Sequence, residues 1–118
     1  MAEWLFNSKG FPCLILDTHM IRNNKGYVIG WLNRPNVFSS HGVHIGWFEG
    51  GVVYDITNCP LLFLRNHTSY LPGTPGLTGT SAMSGFATPP GKPGFQGART
   101  RPGLAQRWSN EDPLSYFQ

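Results

Sequence analysis

The apolar positions of the first half of the chain repeat with a fixed spacing of 16 residues. Residues 4–67 divide without a gap into WLFNSKGFPCLILDTH, MIRNNKGYVIGWLNRP, NVFSSHGVHIGWFEGG and VVYDITNCPLLFLRNH. The second position of each segment is aliphatic, and the tenth is apolar in all four. One repeat of this size cannot bury its own apolar face, so the four repeats are expected to share one core.

Each repeat is predicted to be a β-hairpin. A four-residue reversal begins at a polar residue and ends at Gly or Asn, in the pairs Asn7–Gly10, Asn23–Gly26, Ser39–Gly42 and Asp55–Asn58. Gly and Asn tolerate the left-handed conformation that such hairpin turns need. A single hairpin is only marginally stable. We therefore predict an all-β fold in which four tandem hairpins form a pseudo-four-fold, up-and-down, closed array of eight strands without a free edge.

The second strand of each hairpin carries the candidate apolar centre. Positions ten and twelve lie two residues apart, so they are expected to face inward together. The twelfth position holds the large side chains Ile15, Trp31, Trp47 and Phe63. These side chains are expected to fill the centre, as in other small barrels, and the alternative is that they line a pocket for an apolar ligand or lipid. Gly30 and Gly46, at position eleven, are expected on the opposite face.

A second sequence repeat, with a period of nine residues, follows the hairpins. Frames of Pro-Gly or Ser-Gly plus an apolar residue begin nine residues apart at 75, 84, 93 and 102, and their apolar residues are Leu77, Phe86, Phe95 and Leu104. We expect this Pro/Gly-rich tail, residues 68–106, to wrap around the hairpin domain, residues 4–67, and to place one apolar side chain in the groove of each hairpin. Glycine before each of these residues permits close backbone approach.

The terminal segment, residues 107–118, is rich in aromatic residues. A Ser or Asn cap followed by acidic residues predicts one short helical turn. Trp108, Tyr116 and Phe117 are expected to dock on the hairpin domain, while the alternative is a short linear motif for a partner.

Charge and cysteine content narrow the function classes. The net charge is +3 and the basic residues are scattered, so no nucleic-acid site is expected. The two cysteines are too few for a disulfide scaffold, and a free thiol at Cys13 is the preferred interpretation over a Cys13–Cys59 bridge. The first ten residues lack a basic segment followed by a long apolar run, and this pattern predicts a soluble cytoplasmic protein.

The sequence shows no catalytic, metal or cofactor motif. His41 and His44 are three residues apart, but no Cys or carboxylate stands beside them at metal-ligand spacing, so they are interpreted as surface histidines. There is no Gly-x-Ser-x-Gly sequence. We therefore expect a protein that is not an enzyme and needs no cofactor.

The segment HIGWFEGG (residues 44–51) followed by Val53-Tyr54-Asp55, together with the repeats and the Pro-Gly tail, resembles the bacterial four-fold β-flower proteins. The resemblance implies a shallow pseudo-four-fold array of hairpins around an apolar centre, and the fold has been likened to Tubby-like C-terminal domains, some of which bind phosphoinositides. It implies no activity. The fourth repeat departs from the pattern, because Asn58-Cys59-Pro60 replaces the glycine turn, and no Lys/Arg headgroup cluster is present.

Together these observations favour a non-catalytic binding or scaffold module of the bacterial cytoplasm that contacts another protein. Lipid or small apolar ligand binding at the Trp31 and Trp47 centre is the alternative, and a hydrolase acting through His41 or His44 is a third. A homo-oligomer is compatible with the exposed aromatic content.

Overall fold

The computed structural model describes residues 2–117, which form eight β-strands and one short helix. The elements are β1 (Ala2–Phe6), β2 (Pro12–Asp17), β3 (Met20–Asn23), β4 (Val28–Asn33), β5 (Asn36–Ser39), β6 (His44–Glu49), β7 (Val52–Asp55), β8 (Pro60–Leu64) and α1 (Pro113–Tyr116). Neighbouring strands pair antiparallel in chain order, and β8 returns to β1. The prediction of four hairpins in a closed up-and-down barrel is confirmed.

The hairpin turns are built by the polar residue that begins each reversal. The side-chain oxygen of Asn7 accepts hydrogen bonds from the backbone N–H groups of Lys9 and Phe11, both at 3.0 Å. Asn23, Ser39 and Asp55 make the same pair of contacts in the other hairpins. The turns end in the left-handed region, with φ of 83°, 90°, 84° and 64° at Gly10, Gly26, Gly42 and Asn58.

A β-bulge interrupts the second strand of every hairpin at position ten. Leu5 pairs with Leu14, whereas Phe6 pairs with Pro12, so Cys13 is the extra residue. Ile29, Ile45 and Leu61 are skipped in the same way. A bulge breaks the strict alternation of side chains. The expectation that positions ten and twelve share the inner face was therefore wrong.

The barrel interior is filled by residues of positions two, ten, eleven and thirteen, so position ten faces inward as predicted. The buried apolar side chains are Leu5, Ile21, Val37 and Val53; Leu61, with Cys13, Ile29 and Ile45 partly buried beside it; Leu14 and Leu62; and Leu16, Leu32, Phe48 and Leu64. Gly30, which pairs with Ile21, also faces inward, contrary to expectation, and Gly46 pairs with the interior Val37. A Cβ at Gly30 would lie 2.8 Å from the ring of Phe117, so the missing side chain leaves room for that ring.

The tail forms a belt, residues 68–106, around the hairpin tips. At its start, Thr68 and Ser69 donate backbone hydrogen bonds to Gly50 O. Beyond these, one backbone hydrogen bond reaches each hairpin tip, given by the residue that follows the apolar residue of a frame. The bonds run from Thr78 to Gly10 (3.0 Å), Ala87 to Gly26 (3.1 Å), Gln96 to Gly42 (2.8 Å) and Ala105 to Asn58 (3.3 Å). The donors are nine residues apart and the acceptors sixteen, so one frame of the belt matches one hairpin.

The terminal segment forms a plug, residues 107–117, at the hairpin-tip end of the barrel. Ser109 N–H donates to the carbonyl of Pro60 at 2.7 Å, and Ser40 N–H donates to the carbonyl of Phe117 at 3.1 Å. The phenolic oxygen of Tyr116 donates to Ile45 O and accepts from Ile56 N–H. The ring of Phe117 is fully buried in the interior cluster.

The helix of the plug is capped differently from the prediction. Asp112 is the N-cap and accepts from Leu114 N–H at 3.1 Å, with proline at the start of the helix. Proline is favoured at the first helical position because its φ is already helical. The expected Ser or Asn cap is wrong, since the hydroxyl of Ser109 instead donates to Asp55 at 2.5 Å.

Candidate interaction face

The predicted centre lies on the outside of the barrel. Ile15, Trp31, Trp47 and Phe63 are all buried, with at most 4 % exposure. Trp31 pairs with Phe38 and Trp47 with Tyr54, and Phe63 belongs to a cluster with Phe6, Val52 and Tyr54 that is separate from the interior cluster. Their assignment to the centre of the barrel was wrong, because the bulge turns position twelve outward, but they are core residues, buried in a layer outside the strands.

The belt and plug cover part of this outer layer. Leu71, Leu77 and Trp108 are half-buried against the Phe6 and Phe63 cluster. The ring of Phe95 stacks on Phe38, with centroids 4.2 Å apart and an interplanar angle of 4°.

Two other residues predicted to dock are largely exposed. Phe86 is 39 % exposed, and the guanidinium of Arg22 lies over its ring, 4.5 Å from the centroid. Leu104 is 46 % exposed. The frames therefore share a backbone contact but differ in the environment of their apolar residue.

Arg22 is a buried residue that the sequence pattern did not reveal. It occupies position three, where the other hairpins carry Phe6, Phe38 and Tyr54, and it is 3 % exposed. Its guanidinium donates to Asp17 at 2.9 Å, to Gly26 O at 2.6 Å and to Ala87 O at 2.8 Å. A buried charge needs such partners, so Arg22 ties the second hairpin to its frame of the belt.

The two candidate histidines lie in different environments. His44 is fully buried, contrary to the interpretation as a surface residue. Its Nδ1 atom accepts from Arg99 N–H at 3.0 Å, and its own backbone N–H donates to the side chain of Gln96 at 3.1 Å. Burial, with a smaller effect of the Arg99 charge, lowers the pKa of His44. His41 is exposed in its turn. His44 thus anchors the belt rather than facing a substrate.

Burial changes the acidity of two other reactive side chains, Cys13 and Tyr116. Cys13 and Cys59 are free thiols. Burial first, and the charge of Asp112 second, raise the pKa of Cys13 to about 12, and burial raises the pKa of Tyr116 to about 12. A thiol with a raised pKa is a poor nucleophile at neutral pH. Within residues 2–117 no group of three His, Cys, Asp or Glu residues is placed to hold a metal ion.

A small cleft lies between β1 and the belt. Its volume is about 240 Å³, and it is lined by Trp4, Phe6, Arg65, Met83 and three further residues. Pockets that bury drug-sized ligands measure about 300–1,000 Å³. This cleft is too small to enclose a ligand of that size.

The hairpin-tip end carries a ring of exposed apolar side chains. Phe11, Tyr27 and Val43 occupy position eight of the first three hairpins and are 50 %, 59 % and 38 % exposed. Pro12 pairs with Phe6 on the outer face, so Phe11, one residue earlier, points to the inner side, beyond the end of the barrel. Leu114, on the plug, is 55 % exposed. Phe11, Tyr27 and Val43 belong to three hairpin tips and Leu114 to the plug at the same end of the barrel, and we call the surface that carries these four side chains the tip face.

Charges of both signs accompany the apolar ring. Lys9 and Lys25 are exposed at position six of the first two hairpins, and Glu111 is exposed on the plug. Asp112 lies near enough to Cys13 for its charge to raise the pKa of that thiol, which places this part of the plug beside the first hairpin. The carboxylate of Asp112 is occupied by the helix cap. The tip face is therefore apolar with mixed charge.

The fold defines one class of architecture: a closed barrel of four hairpin repeats that is encircled and plugged by its own C-terminal segment. The chain matches the 4-fold beta flower protein family over residues 3–117, and it belongs to that family. No curated protein and no solved structure gives a significant match. Within residues 2–117 no helix has the length and apolar character to cross a membrane.

Proposed function

We propose that this protein is a non-catalytic binding module that contacts another macromolecule through the tip face. The observation that carries the proposal is the exposure of Phe11, Tyr27 and Val43 at one repeated position, beside Leu114. Exposed apolar patches on a small protein mark contact surfaces, and aromatic residues are enriched in such contacts.

The alternative of an apolar ligand at the centre gains no support from the geometry. The interior is occupied by packed aliphatic side chains and by Phe117, and Trp31 and Trp47 lie on the outer face of the barrel. A ligand in the barrel would have to displace the Phe117 ring, which would expose apolar interior to water. The bacterial cytoplasm is the proposed compartment, because the free thiols of Cys13 and Cys59 fit reducing conditions.

Site-specific photo-crosslinking in the native host tests this proposal. A p-benzoylphenylalanine residue replaces Phe11 or Tyr27 on the tip face, and a matched control carries it at Phe86, which is similarly exposed but lies on the belt. We expect a discrete cross-linked protein from positions 11 and 27 and none from position 86.

The purified partner then gives a quantitative check. Phe11→Ser/Tyr27→Ser is expected to weaken binding by roughly ten-fold or more, as loss of aromatic anchors does at protein interfaces, whereas Phe86→Ser leaves it unchanged. Equal cross-linking from all three positions, or unaltered affinity of the double variant, contradicts a tip-face docking role.

A further inference from the structure

We infer that the third frame of the belt, which begins at Pro93, is a pH-sensitive switch: it is docked while the His44 imidazole is neutral and is released when that ring is protonated. The inference is independent of the tip face. Its basis is a set of contacts around His44, which stands at position nine of the third hairpin. The other hairpins carry Pro12, Val28 and Pro60 at that position.

His44 joins the third hairpin to the belt at two points. Its Nδ1 atom accepts the backbone N–H of Arg99 at 3.0 Å, and its backbone N–H donates to the side-chain oxygen of Gln96 at 3.1 Å. An imidazole nitrogen that accepts a hydrogen bond carries no proton, so the docked frame requires the neutral ring with its proton on Nε2. Protonation would place a second N–H group of the ring against the N–H of Arg99.

The surroundings of the ring disfavour a positive charge. His44 is fully buried, and its Nε2 atom has no hydrogen-bond partner within residues 2–117. The rings of Phe38 and Trp47 lie beside it, with centroids 5.5 and 5.0 Å from that of the imidazole. A buried charge without a partner is costly, and contact with two aromatic rings offsets only part of that cost. The protonated ring therefore favours a state in which the frame is released and water reaches it.

The neighbouring charges act in the same direction. Burial is the main cause that lowers the pKa of His44, the guanidinium of Arg99 lowers it further, and a backbone contact that raises it is outweighed. Lys92 and Arg101 lie over aromatic rings of the belt and of β6. Glu49 is paired with Arg101 at 2.9 Å. The charged groups near the contact are therefore mainly cationic.

Release of the frame uncovers an aromatic side chain of the barrel. The ring of Phe95 stacks on Phe38, with centroids 4.2 Å apart, and Phe38 is 2 % exposed in the docked state. Gln96 N–H donates to Gly42 O at 2.8 Å. Phe95, Gln96 and Arg99 belong to one short stretch of chain without strand or helix, so loss of the Arg99 contact loosens the stacked ring. The strands of the barrel do not have to separate.

The sign of the response follows from the two states of His44. In the released state the ring has its ordinary pKa of about 6.5, and in the docked state its pKa is lower. The frame is therefore docked above about pH 6.5 and is released increasingly as the pH falls below that value. From about pH 8 to about pH 5, the equilibrium constant for release is expected to rise by up to about thirty-fold.

Hydroxyl-radical footprinting, with the oxidised residues located by mass spectrometry, tests the switch at about pH 7.5 and about pH 5. We expect oxidation of Phe38 to rise several-fold at the lower pH. Phe6 is the internal control, because it occupies the same position of the first hairpin and is 1 % exposed, but its hairpin carries Pro12 in place of His44. Its oxidation is expected to stay constant. An equal rise at Phe6 and Phe38 would show general loosening of the belt and would overturn the inference.

His44→Asn isolates the titrating group. The side-chain oxygen of Asn can accept the Arg99 N–H as Nδ1 does, but Asn takes up no proton. The variant is therefore expected to lose the pH response of Phe38, whatever its oxidation at the higher pH. His41→Asn, which changes an exposed histidine on the same hairpin tip, is expected to keep the full response. A His44→Asn protein with the wild-type response overturns the inference.

Nitrogen NMR of the wild-type imidazole is an independent check that needs no variant. At about pH 7.5 we expect His44 to be protonated on Nε2 alone. On titration, protonation of His44 and loss of the nuclear Overhauser contacts between the Phe38 and Phe95 rings should share one midpoint, below about 6.5. A ring protonated on Nδ1 at the higher pH, or ring contacts that persist after His44 is protonated, overturns the inference.

Discussion

The barrel and the belt use the same four-fold repeat in different ways. The barrel pairs every strand with two neighbours and buries a continuous apolar core. The belt has no strand or helix in residues 68–106, and most of its residues are exposed. It is attached by two backbone hydrogen bonds to Gly50 at its start, by one to each hairpin tip, and by a few side chains. Local stability follows buried apolar contact, so the belt is expected to open while the barrel stays closed.

The glycines of the hairpin tips and those of the belt differ in the space around them. A Cβ on any of the tip residues Gly10, Gly26 and Gly42 would overlap the carbonyl oxygen of a belt glycine. A Cβ on a belt glycine, such as Gly94, would meet nothing within 4 Å. The tips are therefore restricted by the belt, whereas the belt glycines tolerate a side chain.

The largest effect is expected from Phe117→Ala, which opens a cavity beside Gly30 inside the barrel. Removing a buried Phe side chain costs about 3–5 kcal/mol. Urea unfolding measures the loss, and Leu114→Ala, on the same plug but 55 % exposed, should stay within about 0.5 kcal/mol of the wild type. A loss below about 1 kcal/mol for Phe117→Ala would show that the plug does not enter the core.

The next effect concerns the tip glycines. Gly42 has a φ of 84°, and a Cβ added there would overlap the carbonyl oxygen of Gly94. In Gly42→Ala the left-handed conformation alone costs about 1–2 kcal/mol. We therefore expect the third frame of the belt to detach from this hairpin tip. Trypsin cleavage after Arg99 reports the detachment. The control Gly94→Ala should be cleaved no faster than the wild type, and equal rates for the two variants would refute a close approach of belt and tip.

A smaller effect is expected from pH at the third frame. The pKa of His44 is lowered in the folded state. When the third frame is detached, His44 has its ordinary pKa of about 6.5, so the detached state binds a proton first as the pH falls. Docking is complete above that value and weakens as the pH falls below it. The hydrogen-exchange protection of the Arg99 amide, corrected for intrinsic rate, should fall between about pH 7 and 5.

The Ala87 amide, in a frame without histidine, provides the internal control for this pH dependence. It should keep its protection over the same range, since its acceptor is Gly26 O. His41→Ala should leave the Arg99 profile unchanged because His41 is exposed. An Arg99 amide whose protection is independent of pH would contradict the role of His44 Nδ1.

The smallest effect is expected on the rate at which the Cys13 thiol is alkylated. The Cys13 thiol, with its pKa raised to about 12 by burial and by Asp112, should resist iodoacetamide at pH 8 in the folded protein. Asp112→Asn keeps an N-cap side chain but removes the second cause, so alkylation should become measurably faster with little change in stability. Rapid labelling of the wild-type thiol would contradict its partly buried position.

The hairpins could be predicted from the sequence because their signals are local. Turn glycines, turn-initiating Asn, Ser and Asp, and the 16-residue period are each set within a few residues along the chain. The faces of the second strand could not be predicted, because a single bulged residue, such as Cys13, reverses the alternation after it. The placement of Trp31 and Trp47 outside the barrel follows from that residue.

The tip face was not predicted for a related reason. Phe11, Tyr27 and Val43 share position eight, but the sequence does not show that the plug fills the mouth beneath them. The fit of Phe117 beside Gly30 and the burial of Arg22 depend on contacts between distant parts of the chain. Such contacts leave no periodic signal in one sequence.

The most direct test of the account is residue-resolved amide hydrogen exchange across the belt. Besides the Arg99 amide, which donates to His44, the structure predicts four protected amides nine residues apart, at Thr78, Ala87, Gln96 and Ala105, with Ala105 the weakest because its hydrogen bond is the longest at 3.3 Å. The amides of Gly79 and Gly97 should exchange faster than these. Uniform, rapid exchange from residue 72 to 106 would contradict the hydrogen bonding of the belt to the hairpin tips.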